Sequence, residues 1–199
     1  MSDDVVNTTR RRFLTAATTV VGAAGAVGIA VPFVGSWTPS AKAKAAGAPV
    51  KFDISKLEPG EMKVVEWRGK PVYVVRRTPE QIKELADFAD NLKDPDSTNT
   101  AQQPAYVDPI LRSIKPEYLV LVGLCTHLGC APKGQLDEKS AEEFALEGHG
   151  GFFCPCHGSK FDLSGRVYKG VPASANLMVP PYSYETDELI VIGVDQETA

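Results

Sequence analysis

Residues 125–130 read Cys-Thr-His-Leu-Gly-Cys and residues 154–159 read Cys-Pro-Cys-His-Gly-Ser. These two segments contain all four cysteines and two of the three histidines of the 199-residue chain. Cysteine and histidine in two short motifs are typical of a metal site that two loops build together. Structural zinc takes four such ligands, whereas six candidates are present here. Two surplus thiols are compatible with a disulfide, a bond that persists in exported proteins.

Two cysteines together with two histidines are the ligand set of a Rieske [2Fe–2S] centre. The two segments resemble the cluster-binding motifs of the Rieske iron–sulfur subunit of bacterial ubiquinol–cytochrome c reductase. The resemblance covers essentially the whole chain, from an N-terminal arginine signal and an apolar segment to a β domain. It includes the late stretch Val179-Pro180-Pro181-Tyr182.

The resemblance implies one [2Fe–2S] cluster per subunit and a disulfide between Cys130 and Cys156. The implied metal ligands are Cys125 and Cys154 on the inner iron, and His127 and His157 on the outer iron. The ring of His157 is the implied catalytic group, which accepts a hydrogen bond and a proton from ubiquinol. Further residues are expected around the cluster: Leu128 as its cover, Gly129 in the turn, Ser159 as a hydroxyl donor to a sulfur, Phe161, and Pro172 in a shielding loop over residues 170–173.

The chain departs from the family pattern at three places. Phe161 stands where the family has a tyrosine whose hydroxyl bonds a ligand sulfur, and the loss of this donor predicts a lower reduction potential. Ser174 stands where the shielding loop has a second proline, which predicts a looser loop. Residues 131–151 are acidic and unlike the usual short connection, which indicates a local insertion.

The N-terminal segment predicts export and membrane anchoring. Arginines 10–12 precede an uncharged stretch from Phe13 to Ser40, a pattern that resembles a twin-arginine signal. A membrane-spanning helix needs roughly 20 apolar residues, so residues 13–37 are predicted to be a single-pass anchor. A cleaved signal peptide is the alternative. With a retained anchor, residues 1–12 are a cytoplasmic tail, residues 38–49 are a flexible hinge, and residues 50–199 are a periplasmic domain attached to the bacterial inner membrane.

The predicted fold class is mainly β. The resemblance implies an antiparallel β sandwich with a small cluster-binding subdomain over about residues 120–175. Alternating residues predict hairpins over residues 62–76 and 182–194. A helical insertion begins where Thr78 and Gln81 form a capping box. An apolar stripe from Ile82 to Leu92 predicts that this helix continues to Asp94, and a weaker helix is predicted over residues 140–146.

The function implied by the resemblance is electron transfer. The chain would take one electron and a proton from ubiquinol and pass the electron to a c-type cytochrome, as a subunit of quinol–cytochrome c reductase. Implied partners are cytochrome b, a c-type cytochrome and the membrane, within a dimeric complex that contributes to proton translocation. A net charge of −4 argues against nucleic acid as a partner. The alternatives are a Rieske subunit of another membrane oxidase, a soluble oxygenase ferredoxin and a structural zinc module. His149 is predicted to be a surface histidine outside the site.

Overall fold

A computed structural model describes residues 7–146 and 150–196 and divides into two units, which meet in sequence between Ala45 and Ala46. Helix α1 (Thr8–Gly35) has 28 residues, so it is about 42 Å long and exceeds the roughly 30 Å of a bilayer core. It is the one helix in the described part of the chain that is long and apolar enough to cross a membrane.

The N-terminal unit begins with a capped helix, and a short helix follows at its end. The side chain of Asn7 caps α1 by accepting a hydrogen bond from the Arg10 amide, so the arginines lie on the helix and not before it. A short helix α2 (Ala41–Ala46) occurs inside the predicted hinge. Its alternating alanine and lysine residues favour helix locally, while the flexibility of residues 38–49 stays a prediction.

Strands in the second unit form three antiparallel three-stranded sheets, with the orders β1-β9-β8, β2-β3-β4 and β5-β6-β7. The mainly β, antiparallel class is therefore confirmed. The strands are β1 (Val50–Asp53), β2 (Met62–Trp67), β3 (Lys70–Arg76), β4 (Tyr118–Val122), β5 (Lys133–Gln135), β6 (Gly151–Cys154), β7 (Ser159–Asp162), β8 (Tyr182–Thr186) and β9 (Leu189–Ile192).

The predicted hairpin between β2 and β3 turns at Arg68 and Gly69. Both residues have positive φ, 53° and 68°, and Trp67 pairs with Lys70 across the turn. Two such residues form the type I′ turn that suits the twist of an antiparallel hairpin. Lys70 therefore begins β3 and does not belong to the turn.

The helical insertion begins as predicted but ends early. Helix α3 (Pro79–Glu84) has the capping box of Thr78 and Gln81, yet the predicted continuation to Asp94 is wrong. The Lys93 amide donates to the Val167 carbonyl at 2.9 Å, and the neighbouring residue Leu92 forms an isolated bridge to another strand-like segment. This tertiary pairing overrides the local helix propensity. The remaining helices are 3-10 turns at Ala89–Asn91 and Thr100–Gln102, and α4 (Glu138–Glu143) in place of the predicted 140–146.

Buried charges fix the turn that follows β7. Asp162 is 2% exposed and accepts a hydrogen bond from Arg166 Nε at 2.7 Å. Arg77 and Arg112 donate to the carbonyls of residues 163–164 at 3.1 and 3.0 Å. Burial lowers the pKa of each of these two guanidinium groups to about 10, so both stay charged at neutral pH. Because β7 carries the end of the second cysteine motif, these ionic contacts also position that motif.

Candidate metal centre

The two cysteine motifs fold into turns of the same form. The Gly129 amide donates to the Cys125 carbonyl at 2.9 Å, and the Gly158 amide donates to the Cys154 carbonyl at 2.9 Å. Both glycines have positive φ, 81° and 74°, a conformation that costs glycine little and other residues more. The first turn follows β4 and the second joins β6 to β7, so two sheets present the two turns.

The first cysteine of each turn points into the core. The thiols of Cys125 and Cys154 are free, and these residues are only 3% and 1% exposed. Burial, the largest cause, raises the pKa of the Cys125 thiol, and the adjacent Cys154 raises it further. A pair of thiolates is therefore unfavourable at this place unless a metal cation offsets the charge.

The two histidines lie side by side. The ring centroids of His127 and His157 are 4.8 Å apart and the rings are nearly perpendicular. His127 Nδ1 is buried and has no hydrogen-bond partner among the described residues. A buried polar atom without a partner costs about 1–3 kcal/mol, and a metal ion would supply the missing partner. Two thiols and two imidazoles thus fit the donor set of a Rieske centre.

A disulfide joins the two turns. It links Cys130 to Cys156, the pair that the resemblance implies. The sulfurs of these residues and of Cys154 lie within 4.8 Å of one another, a spacing that by itself suggests a three-cysteine metal site. Disulfide sulfurs are not thiolates and do not serve as metal ligands, so the free thiols and the imidazoles are the candidate metal donors.

Two hydroxyl groups attach the loop of residues 170–175 to the turns. Ser159 is fully buried, and its Oγ accepts a hydrogen bond from the Ala173 amide at 3.0 Å. A side-chain hydrogen bond from Ser159 also lowers the pKa of the Cys125 thiol, although burial outweighs it. Thr126 Oγ1 donates to the Ala175 carbonyl at 2.6 Å. Sequence reasoning assigned a role to Ser159 and none to Thr126, although Thr126 lies inside the first motif.

The outer side of the site is open to solvent. Leu128 is 73% exposed, and His157 and Pro172 are also exposed. The expected cover, Leu128, therefore presents an apolar side chain outward beside the first motif. The third histidine, His149, lies outside the described residues.

The ring and the hydroxyl of Tyr73 contact residues that flank the two turns. Its ring is stacked on Phe152 with centroids 5.8 Å apart, and its hydroxyl donates to the Pro132 carbonyl at 2.6 Å. A Cβ at Gly123 would lie 2.3 Å from this ring, so only glycine fits there. Tyr73 is 4% exposed, and no local pattern in the sequence indicates its contact with Pro132 beside the first turn.

Phe161 offers a test of how the site tunes its potential. Its side chain is fully buried in the same core cluster as Cys125 and Cys154. We expect Phe161→Tyr to raise the reduction potential, because a hydroxyl donated to a ligand sulfur stabilises the reduced state. A hydrogen bond of about 1 kcal/mol corresponds to about 40 mV for one electron. Protein-film voltammetry measures the potential. An unchanged potential with a lowered melting temperature would mean that the hydroxyl is buried without reaching a sulfur.

Comparison with known proteins agrees with this geometry. The family model of the Rieske [2Fe-2S] domain matches residues 49–183. A second model, described as the ubiquitinol-cytochrome C reductase Fe-S subunit TAT signal, matches residues 1–40. The ubiquinol-cytochrome c reductase iron-sulfur subunit of Allochromatium vinosum is 54% identical over 199 residues, which cover 100% of this chain and 95% of that relative.

Two further relatives extend the comparison. The subunit of the same name from Blastochloris viridis is 43% identical over 194 residues, which cover 96% of this chain and 97% of the relative. A solved chain titled "Hyperthermophilic respiratory Complex III" has 26% identity and a TM-score of 0.46, and it covers 88% of this chain and 98% of that chain.

The two family models and the two subunits from Allochromatium vinosum and Blastochloris viridis confirm the resemblance that the two cysteine motifs indicate. The cofactor that it implies is a [2Fe–2S] cluster. The N-terminal match and the apolar helix α1 together indicate membrane anchoring. The chain belongs to the Rieske iron–sulfur proteins and, among them, to the family of ubiquinol–cytochrome c reductase iron–sulfur subunits.

Proposed function

We propose that this chain is the electron-transfer subunit of a respiratory ubiquinol–cytochrome c reductase. It takes one electron and one proton from ubiquinol and passes the electron to a c-type cytochrome, which contributes to proton translocation. One observation carries the proposal: two buried thiols and two adjacent imidazole rings lie on turns that a disulfide joins. The names of relatives that match nearly the whole chain support it.

Four side chains would hold the cluster: Cys125, His127, Cys154 and His157. When bound, a cluster with two imidazole ligands supplies a one-electron acceptor at a higher potential than an all-thiolate cluster. The buried cysteines keep water away from the sulfur side. The hydroxyl of Ser159, hydrogen-bonded with the Cys125 thiol, stabilises negative charge on that sulfur.

The exposed ring of His157 is the group that would meet ubiquinol. The buried nitrogen of the neighbouring His127 is Nδ1, and if His157 binds metal through the same atom, its Nε2 faces outward. A neutral ring with metal at Nδ1 carries its one proton at Nε2, so the ring would first have to release that proton, which a bound cation favours. Nε2 would then accept the hydrogen bond of a quinol hydroxyl and take its proton. Imidazole suits this task because it is the side chain that most often accepts and passes on a proton in proteins. The exposed side chain of Leu128 adds an apolar contact next to this polar one.

The N-terminal segment would place the domain. Arginines 10–12 remain in the cytoplasm by the positive-inside rule, α1 crosses the bacterial inner membrane, and residues 50–199 lie in the periplasm. Cytochrome b and a c-type cytochrome are the proposed partners within a dimeric complex. Residues 38–49 act as a hinge, which lets one domain visit a quinol site at the membrane and then a haem.

Electron spin resonance of dithionite-reduced membranes tests the proposal. We expect a paramagnetic signal from the reduced cluster, a reddish-brown purified protein and ubiquinol-dependent cytochrome c reduction that requires this chain. A colourless protein with one zinc atom per chain would overturn the proposal in favour of the structural zinc module. If membranes that contain the protein give a normal signal, but cytochrome c reduction is unchanged after its deletion, the protein serves another electron-transfer pathway.

A further inference from the structure

Lys93 connects the helical insertion to the loop of residues 170–175. Its Nζ donates to the Val171 carbonyl at 2.7 Å and to the Ala173 carbonyl at 2.6 Å. These two carbonyls lie on either side of Pro172. A single ammonium group therefore restrains the loop at two points, and hydrogen bonds from a charged donor are stronger than those from a neutral one.

Backbone pairing places Lys93 beside this loop. The Lys93 amide donates to the Val167 carbonyl at 2.9 Å. The preceding residue, Leu92, is 1% exposed and bridges to Tyr168. The long side chain thus starts from a fixed point beside the loop. Leu92 and Lys93 make this pairing in place of the predicted helix, so the departure from the helix has a consequence for the site.

The restrained loop leads directly to the metal centre. The Ala173 amide, which lies between the two clamped carbonyls, donates to Ser159 Oγ at 3.0 Å. Because this amide occupies an acceptor position of the Ser159 oxygen, the hydroxyl hydrogen is left to point elsewhere. Ser159 pairs with Cys154 across the hairpin of β6 and β7, and its side-chain hydrogen bond lowers the pKa of the Cys125 thiol. A continuous series of contacts therefore runs from Lys93 to a proposed ligand sulfur.

We propose that Lys93 is a positioning residue for the iron–sulfur centre, an inference that rests on the proposed function. Its two bonds fix Ala173, and Ala173 in turn orients the Ser159 hydroxyl toward the sulfur of Cys125. A hydrogen bond to the sulfur favours the reduced state. Lys93 also restrains this loop, which is predicted to be looser because Ser174 replaces a second proline.

The test compares Lys93→Met with the unchanged full-length subunit. Methionine keeps an unbranched side chain and removes the ammonium group. We expect the ratio of reduced to oxidised centre at a fixed ambient potential to fall about threefold, or about 30 mV for one electron. We also expect the Ala173 amide to exchange with deuterium at least tenfold faster, because Lys93 no longer restrains it. Lys93→Arg keeps a cation that donates to two carbonyls, and it should restore both values.

Lys169→Met is the matched control. Lys169 is an exposed lysine on the segment that pairs with the Lys93 region, and its Nζ donates to the Asp90 carbonyl at 2.7 Å. The variant removes the same charge next to the loop but keeps both bonds of Lys93 to it, so potential and exchange should stay as in the unchanged protein. An equal fall in potential for the two methionine variants would overturn the proposal, because any nearby charge would then suffice. An unchanged potential and exchange in Lys93→Met would overturn it as well, while a normal spin-resonance signal in the same samples would leave the proposed function intact.

Discussion

His157→Ala is expected to abolish both the iron–sulfur cluster and ubiquinol-dependent cytochrome c reduction. The variant removes one of the four proposed donors. The ring of His127, whose centroid lies 4.8 Å from that of His157, then remains as the single imidazole donor. An iron atom that has lost one of its two protein ligands is open to water and dissociates more easily. We therefore expect bound iron per chain to fall at least tenfold, with a matching loss of the spin-resonance signal. The same membranes should reduce cytochrome c at background rate.

His149→Ala is the control for this result. It also replaces a histidine by alanine, but His149 lies outside the two cysteine motifs, so iron content and turnover should be unchanged. A His157→Ala protein with full iron content, a normal signal and full quinol oxidation would contradict the assignment of this residue both as ligand and as proton acceptor. Loss of turnover with the cluster retained would contradict only the ligand role.

The parts of the fold that sequence predicted are those in which local chemistry decides the structure. The capping box at Thr78 sets the start of α3, because hydroxyl and amide groups within four residues satisfy the free backbone groups of the first turn. The two glycines in the cysteine motifs likewise set left-handed turns from within the motif. Motifs of this kind carry their own geometry, so their form can be inferred without knowing the rest of the chain.

The parts that sequence missed depend on residues that are distant along the chain. The apolar stripe from Ile82 to Leu92 predicts one helix, but α3 ends at Glu84, and at the far end of the stripe Lys93 pairs with Val167 instead. The contacts of Tyr73 with Pro132 and of Lys93 with Ala173 span 59 and 80 residues. No local sequence pattern predicts such contacts. The donor set of the site could be predicted from its motifs, whereas the groups that orient it could not.

Removing the disulfide with the double variant Cys130→Ser/Cys156→Ser is expected to destabilise the domain and release the cluster. The bond closes a loop with a sequence separation of 26 residues, and the chain-entropy relation predicts about 3.5 kcal/mol for a loop of this length. For a domain of this size, that loss corresponds to a melting temperature lowered by about 10 °C. Thermal unfolding of the purified full-length subunit measures it.

The effect on the cluster should exceed the effect on the fold. Each of the two turns supplies one thiol and one imidazole, and Cys156, which belongs to the second turn, is exposed. Without the disulfide the tips of the turns can separate while the strands below them remain paired, because β4 and β6 belong to different sheets. We expect iron to dissociate at least tenfold faster at temperatures where the domain is still folded. Pro155→Ala, which changes the same turn but keeps the disulfide, should retain the cluster. If the double variant melts earlier yet holds its iron as long as Pro155→Ala does, the disulfide stabilises the domain as a whole, and the hydrogen bonds of Ser159 and Thr126 are enough to keep the turns together.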